Sequence, residues 1–125
     1  MFTSAKDAYD RGTKASGSTR ELEAAALFKA ARFFEACRQN WDAADRPQRL
    51  EEALRYNQRL WTLFQTELAR TDHELPVELR ANLLRLSAFV DRQTFEVMAR
   101  PEAAKLQSLI NINRQIAEGL SGRPT

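Results

Sequence analysis

The sequence predicts an all-α protein, folded as a compact antiparallel four-helix bundle. Apolar residues recur at helical spacing in four segments, which is typical of helices that bury one face. The 125 residues include only 4 Gly and 4 Pro, too few for a turn-dense all-β fold. Short connections between the four segments favour antiparallel packing of consecutive helices. With 43% hydrophobic and 29% charged residues, the composition is that of one globular domain.

Each predicted helix is bounded by residues that prefer helix ends. The segment from Ser18 to Glu21 matches a capping box that opens the first helix. Gly119 suits the end of the last helix. Three prolines suit the first turn of a helix, where no backbone N–H is needed: Pro47, Pro76 and Pro101. The predicted helices cover residues 19–40, 48–71, 77–99 and 102–118.

The N-terminal segment, residues 1–17, is set apart from the helical domain, residues 18–125. Phe2, Ala5 and Tyr9 lie at helical spacing, which indicates a short amphipathic helix. Small residues from Gly12 to Ser18 indicate a flexible joint. The sequence therefore predicts a segment that is either a short helix or flexible.

Apolar stripes predict which face of each helix is buried. The first helix has its stripe at Leu22, Ala26, Ala30, Phe33, Cys37 and Trp41, widened by Leu27 and Phe34. The second has Leu50, Ala53, Leu54, Leu60, Trp61, Phe64 and Leu68. The fourth has Leu106, Leu109, Ile110, Ile116, Ala117 and Leu120. The third has two stripes, Leu79, Leu83, Leu86, Val90 and Val97, and Val77, Ala81, Leu84, Ala88 and Phe95. A double stripe predicts that this helix is central or faces a partner, and the frequency of buried bundle cores favours the central position.

Charge and hydropathy exclude several classes of function. The formal net charge is +2, which is not the electrostatic footprint of a nucleic-acid-binding protein. The longest apolar run, from Ala24 to Phe28, is far shorter than the ~20 residues that cross a membrane, and the N-terminus lacks an apolar stretch of signal-peptide length. The single cysteine fits a reducing compartment. We therefore expect a cytoplasmic protein that does not insert into membranes.

The residues that could carry chemistry have simpler explanations. The glycine spacing at residues 12–19 lacks the lysine of a phosphate-binding loop. His73 lies in a predicted connection, where an exposed side chain is expected. Cys37 lies on an apolar stripe, which predicts a small buried hydrophobe. Asp42 and Asp45 are close in sequence, as are Glu51 and Glu52, and the latter pair suits a helix start. The sequence therefore predicts no enzyme activity, no catalytic or metal site and no cofactor.

Two asparagines stand at the centres of apolar faces. Asn57 lies on the stripe of the second helix and Asn113 on that of the fourth. A buried amide without a partner costs about 1–3 kcal/mol, so each should be hydrogen-bonded. Either they bond to each other or to backbone and fix the packing, or they line a groove and await a partner's backbone. The first alternative is favoured.

Several strings, taken together, resemble the FlaF family of flagellar biosynthesis regulators. The most specific are Tyr56-Asn57 followed by Leu60-Trp61, and Ile110-Asn111-Ile112-Asn113-Arg114. The similar strings lie in one order along nearly the whole chain, at residues 19–24, 52–64, 75–83 and 106–120.

The resemblance implies a cytoplasmic helical protein that binds flagellin and supports its synthesis and export, in the manner of a secretion chaperone. The alternative that it implies is a post-transcriptional regulator that acts on flagellin mRNA directly or through an FlbT-like regulator. It supplies no catalytic or cofactor-binding residues. The positions that match its shared residues are Tyr56, Asn57, Trp61, Asn111, Asn113 and Arg114.

Binding to flagellin would require exposed apolar side chains, because the terminal segments of flagellin are amphipathic helices that dock into apolar grooves. The predicted partner-binding residues are those outside the central stripes: Phe28, Tyr56, Leu63, Leu84 and Phe95. The simpler alternative for each is packing within the bundle. Charges alternate in sign along the helices, which is typical of a solvated face and does not favour direct RNA binding.

Overall fold

Four α-helices and one short 3-10 helix form most of the computed structural model, which describes residues 5–70 and 76–122, with side chains from Arg20 onward. The helices are α1 (Ala5–Gln39), α2 (Arg46–Leu68), α3 (Val77–Ala99) and α4 (Leu106–Ser121), and the 3-10 helix Ala103–Lys105 leads directly into α4. The described residues contain no strand, so the predicted all-α bundle is confirmed.

Helix α1 is longer than the sequence predicted, because its backbone is helical without a break from Ala5 to Gln39. The predicted joint at residues 12–18 is therefore wrong, and the predicted capping box lies inside the helix. A glycine inside a helix costs about 1 kcal/mol relative to alanine, which a long cooperative helix tolerates. Residues 1–4 of the predicted N-terminal segment lie outside the described residues.

Only one of the three prolines predicted to lie in the first turn of a helix does so. Pro47 lies in the first turn of α2, as predicted. Pro76 lies immediately before α3 in an extended conformation, with φ −54° and ψ 147°. Pro101 lies outside any helix, because the 3-10 helix intervenes and α4 begins only at Leu106.

Helix α4 ends three residues later than predicted. Gly119 lies inside the helix, and the terminating residue is Gly122, whose φ is +72°. The left-handed conformation carries no steric penalty for glycine, whereas a Cβ atom would be strained there. The prediction that Gly119 ends the helix is therefore wrong.

The centre of the bundle is the contact between α1 and α4, and α1 also packs against α2. Small residues line this contact: Ala24 and Ala31 on α1 and Ala117 on α4 are buried. Small side chains let two helices approach closely. The buried core cluster consists of Ala24, Leu27, Ala31, Phe34, Cys37, Leu50, Ala53, Leu54, Trp61, Val90, Val97, Leu106, Leu109, Ile110 and Ala117.

The buried face of α1 is narrower than the predicted stripe. Leu22 and Phe33, both predicted to be core residues, are 69% and 38% exposed. The predicted residues Leu27, Ala30, Phe34 and Cys37 are buried, together with Ala24 and Ala31. The prediction for Leu22 and Phe33 is wrong because their face of α1 also carries Lys29, which would be costly to bury without a charged partner.

Helix α3 lies at the side of the bundle, where it packs mainly against α2. Its buried face combines Val90 and Val97 with two small polar residues, Ser87 and Thr94. The Thr94 hydroxyl donates to the Val90 carbonyl oxygen at 2.7 Å, so the helix itself satisfies this buried group. The favoured prediction of a central α3 is wrong, because α1 and α4 occupy the centre.

A chain of hydrogen bonds links α2 and α4 through the core. The Trp61 indole Nε1 donates to Asn113 Oδ1 at 2.9 Å, and Asn113 Nδ2 donates to Asn57 Oδ1 at 2.9 Å. All three side chains are buried. This confirms the favoured alternative, in which the two asparagines bond to each other.

The indole sets the direction of every bond in this chain. An indole N–H can only donate, so Asn113 must present its oxygen to Trp61. Its Nδ2 group then faces Asn57, which must present its own oxygen in turn. Asn57 Nδ2 is left without a protein partner among the described residues. The arrangement therefore has one orientation, and Asn113 occupies its centre.

The connection between α3 and α4 is held by Lys105. Its Nζ donates to the Arg100 carbonyl oxygen at 2.8 Å and lies 3.0 Å from Glu96 and 2.9 Å from Glu102. The hydrogen bond to Glu102 is the main cause that raises the pKa of Lys105, and the same bond lowers the pKa of Glu102. Gln93 also donates to the Lys105 carbonyl oxygen at 3.0 Å.

We expect Asn113→Ala to lower the free energy of unfolding by about 3 kcal/mol or more. The substitution leaves the Trp61 N–H and the Asn57 oxygen buried without partners, at about 1–3 kcal/mol each. Urea unfolding followed by tryptophan fluorescence measures the change. Asn111→Ala, on the exposed face of the same helix, should change it by no more than about 0.5 kcal/mol. Equal effects of the two variants would contradict the assigned hydrogen bonds.

We expect the Cys37 thiol to be unreactive in the folded protein. Cys37 is buried in the core cluster, and burial is the main cause that raises the pKa of its thiol. Since the thiolate is the reactive form, a thiol-specific chromogenic reagent at neutral pH should label Cys37 rapidly in urea and much more slowly without it. Fast labelling of the native protein would show that Cys37 is accessible.

Candidate partner-binding surfaces

The acidic and metal-ligating side chains of the described residues are dispersed. Within them, no group of three or more His, Cys, Asp or Glu side chains is placed to hold a metal ion. Asp45 pairs with Arg49 at 2.6 Å and Glu51 with Arg55 at 2.7 Å, both on the surface. His73 lies outside the described residues. In the part of the chain that the structure covers, none of the helices is both long and apolar enough to span a bilayer.

The helix-start explanation for Glu51 and Glu52 is wrong. Helix α2 begins at Arg46, and its first turn contains no acidic residue. Both glutamates therefore lie too far along the helix to interact strongly with its N-terminal dipole, whose effect is confined to the first turn.

The five predicted partner-binding residues do not form one site. Leu63 and Phe95 are exposed, at 65% and 63%. Tyr56 and Leu84 are half-buried. Phe28 is half-buried and packs against the core cluster. Tyr56 and Leu63 share a face of α2, whereas Leu84 and Phe95 share a face of α3.

An aromatic pair joins the outer edges of α1 and α2. The rings of Phe33 and Tyr56 meet edge to face, with centroids 5.3 Å apart and planes at 75°. The Lys29 ammonium lies 5.5 Å from the centroid of each ring. Cation–π attraction at such distances contributes about 0.5–1 kcal/mol at exposed sites. This contact fixes the relative position of the two helix edges.

Two exposed leucines extend the aromatic pair into a longer surface. At about 100° per residue, Leu22 lies on the same face of α1 as Phe33, and Leu63 on the same face of α2 as Tyr56. Helices α1 and α2 pack together through a short connection, so they are antiparallel. Leu22 and Leu63 therefore lie in the same direction from the aromatic pair. We call Leu22, Phe33, Tyr56 and Leu63 the α1–α2 surface.

Sequence reasoning assigned Tyr56 and Leu63 to a partner and missed Leu22 and Phe33. A signal was present in Lys29, which shares their face of α1 and would be costly to bury without a charged partner. An apolar stripe with a lysine at its centre indicates a side of the helix that is partly exposed to solvent.

A second apolar face is directed outward from α3. Val77 and Phe95 are exposed, and Leu84 between them is half-buried. These residues belong to the second stripe of the sequence analysis, whereas Val90 and Val97 of the first stripe are buried. Leu79 departs from the first stripe and is 44% exposed. Because Val77 and Phe95 are about 27 Å apart along a helix of this length, the α3 face is more dispersed than the α1–α2 surface.

The positions that match the family strings divide into a buried and an exposed set. Asn57, Trp61 and Asn113 form the hydrogen-bonded chain of the core. Asn111 is exposed and accepts a hydrogen bond from Gln107 Nε2 at 2.8 Å. Arg114 is also exposed. The buried set stabilises the bundle, so it does not by itself indicate a binding site.

Comparison with known proteins identifies the family. A family model described as flagellar protein FlaF matches residues 5–120, nearly the whole chain. Searches of curated proteins and of solved structures found no match. The matched range includes α1, α2, α3 and all but the last residue of α4, together with the Trp61–Asn113–Asn57 chain and the α1–α2 surface. The chain therefore belongs to the FlaF family of flagellar proteins.

Proposed function

We propose that this protein binds flagellin in the cytoplasm, in the manner of a secretion chaperone, and thereby supports flagellin synthesis and export. The observation that carries the proposal is the α1–α2 surface, an exposed apolar strip on a protein of a flagellar family. The proposed ligand segment is one of the amphipathic terminal helices of flagellin, which would lay its apolar side on this strip.

The dimensions of the α1–α2 surface suit a helix of a few turns. Leu22 and Phe33 are eleven residues apart on α1, a distance of about 16 Å along the helix axis. A ligand helix of about three turns would match that length and present apolar residues at every third or fourth position. Lys29, at the aromatic pair, would suit a ligand with an acidic residue near the centre of its apolar side.

The two exposed leucines supply part of the binding energy, and the aromatic pair and the polar contacts must supply the rest. Leu22 and Leu63 are 69% and 65% exposed. Fully burying a leucine contributes about 1.5–3 kcal/mol, so the two together offer about 2–4 kcal/mol before the aromatic contacts are counted. Because Phe33 and Tyr56 already pack against each other, little side-chain entropy is lost when they bind.

We expect Leu63→Glu to weaken flagellin binding at least tenfold, because the variant places a charge on the strip where an apolar contact is needed. A tenfold change corresponds to about 1.4 kcal/mol. Isothermal titration calorimetry of the purified protein with purified flagellin measures the affinity. Thr62→Glu is the matched control, since it adds the same charge to an adjacent exposed position on a different face of α2.

The α3 face is tested in the same titration with Phe95→Glu. The proposal requires that this variant bind flagellin like the unmodified protein. If Leu63→Glu still binds flagellin strongly and Phe95→Glu does not, the flagellin site lies on the α3 face and not on the α1–α2 surface. Absence of binding by the unmodified protein at micromolar concentration would overturn the chaperone function itself.

A further inference from the structure

We propose that a groove between α2 and the C-terminal end of α3 binds an acidic amphipathic helical segment of a partner protein. The groove adjoins the α1–α2 surface without sharing its apolar residues: the floor of the groove lies on another side of α2 from Tyr56 and Leu63, and Arg59 stands between the two. The groove has a volume of about 690 Å³ and is open along its length. Its floor is apolar and its α2 wall is basic.

The floor offers contacts for apolar side chains of a ligand. Leu50 and Leu54 of α2 lie at the bottom, 4% and 3% exposed. Met98 of α3 forms the opposite wall and is 43% exposed. Methionine has a flexible, polarisable side chain that adapts to different apolar partners. The floor therefore suits ligand leucines or similar residues.

The basic wall sets the charge of the ligand. Arg46, Arg55 and Arg59 line the groove with one acid, Glu51, which leaves a local net charge of +2. Charge complementarity favours a ligand with acidic side chains beside its apolar ones.

The three arginines differ in how they are held. The Arg46 guanidinium carbon lies 4.3 Å from the centroid of the Trp41 ring, and its Nε donates to the Trp41 carbonyl oxygen at 3.2 Å. Arg55 pairs with Glu51 at 2.7 Å. Arg59 forms no ion pair with any described residue and is exposed. Arg59 is therefore the cation most readily available to a partner.

The length and lining of the groove favour a helical peptide. From Arg46 to Arg59, α2 rises about 20 Å, which is the length of a helix of about 13 residues. Of the described residues that line the groove, none is aromatic. Single-stranded nucleic acids bind mainly by stacking on aromatic rings, so the arginines here are better suited to carboxylates than to RNA.

The test uses a labelled synthetic peptide of about 14 residues, long enough to span the groove as a helix. It carries leucine at every third or fourth position and glutamate on both sides of that stripe. Fluorescence anisotropy with the full-length protein should give micromolar affinity that falls with added salt. The matched peptide with lysine in place of each glutamate should bind at least tenfold more weakly.

Two variants locate the binding site. Arg59→Glu should lower the affinity for the acidic peptide at least tenfold, and Met98→Ser should lower it several-fold. Arg32→Glu is the matched control, because Arg32 is an exposed arginine of α1, and it should bind like the unmodified protein. Circular dichroism confirms that each variant is folded.

Two variants outside α2 separate this proposal from the flagellin site. Leu22→Glu, on α1, should weaken flagellin binding and leave peptide binding unchanged, and Met98→Ser, on α3, should leave flagellin binding unchanged. The groove proposal is overturned if the acidic and basic peptides bind alike, if folded Arg59→Glu binds the peptide normally, or if a single-stranded RNA of similar length binds more tightly. Competition between flagellin and the peptide for one site would also overturn it.

Discussion

A single buried indole N–H governs how α2 and α4 fit together. Trp61 can only donate, so it fixes the orientation of the Asn113 amide, and Asn113 fixes that of Asn57. A sliding of either helix would break at least one of these bonds and leave a polar group buried without its partner. Purely apolar faces tolerate such shifts more easily, so this polar chain gives the bundle a single register.

The register determines which side chains remain outside. With the side of α1 that carries Leu27, Ala31 and Phe34 buried in the core, Leu22 and Phe33 are left on its outer side. There Phe33 meets Tyr56. The α1–α2 surface is thus a consequence of which side of α1 enters the core.

The sequence predicted the helix count, the proline-marked starts of α2 and α3 and the pairing of Asn57 with Asn113, because each depends on local chemistry or on a polar group with few alternatives. On α1 it placed Leu27, Ala30, Phe34 and Cys37 correctly in the core but also included Leu22 and Phe33, which are exposed. Apolar spacing alone made the predicted face too wide, because it gave no weight to Lys29 on the same side. The outer position of α3 depends on tertiary contacts, which apolar spacing does not contain.

Helix α2 uses its whole circumference. One side enters the core through Leu54 and Trp61, a second contributes Tyr56 and Leu63 to the edge shared with α1, and a third forms the arginine-lined groove. On the two proposals made above, α2 has binding roles on its outer sides as well as a buried side, so amino-acid replacements along it have few neutral positions. Helix α3 has one side buried and a broad outer face, so on the same proposals sequence divergence in proteins built on this plan should concentrate there.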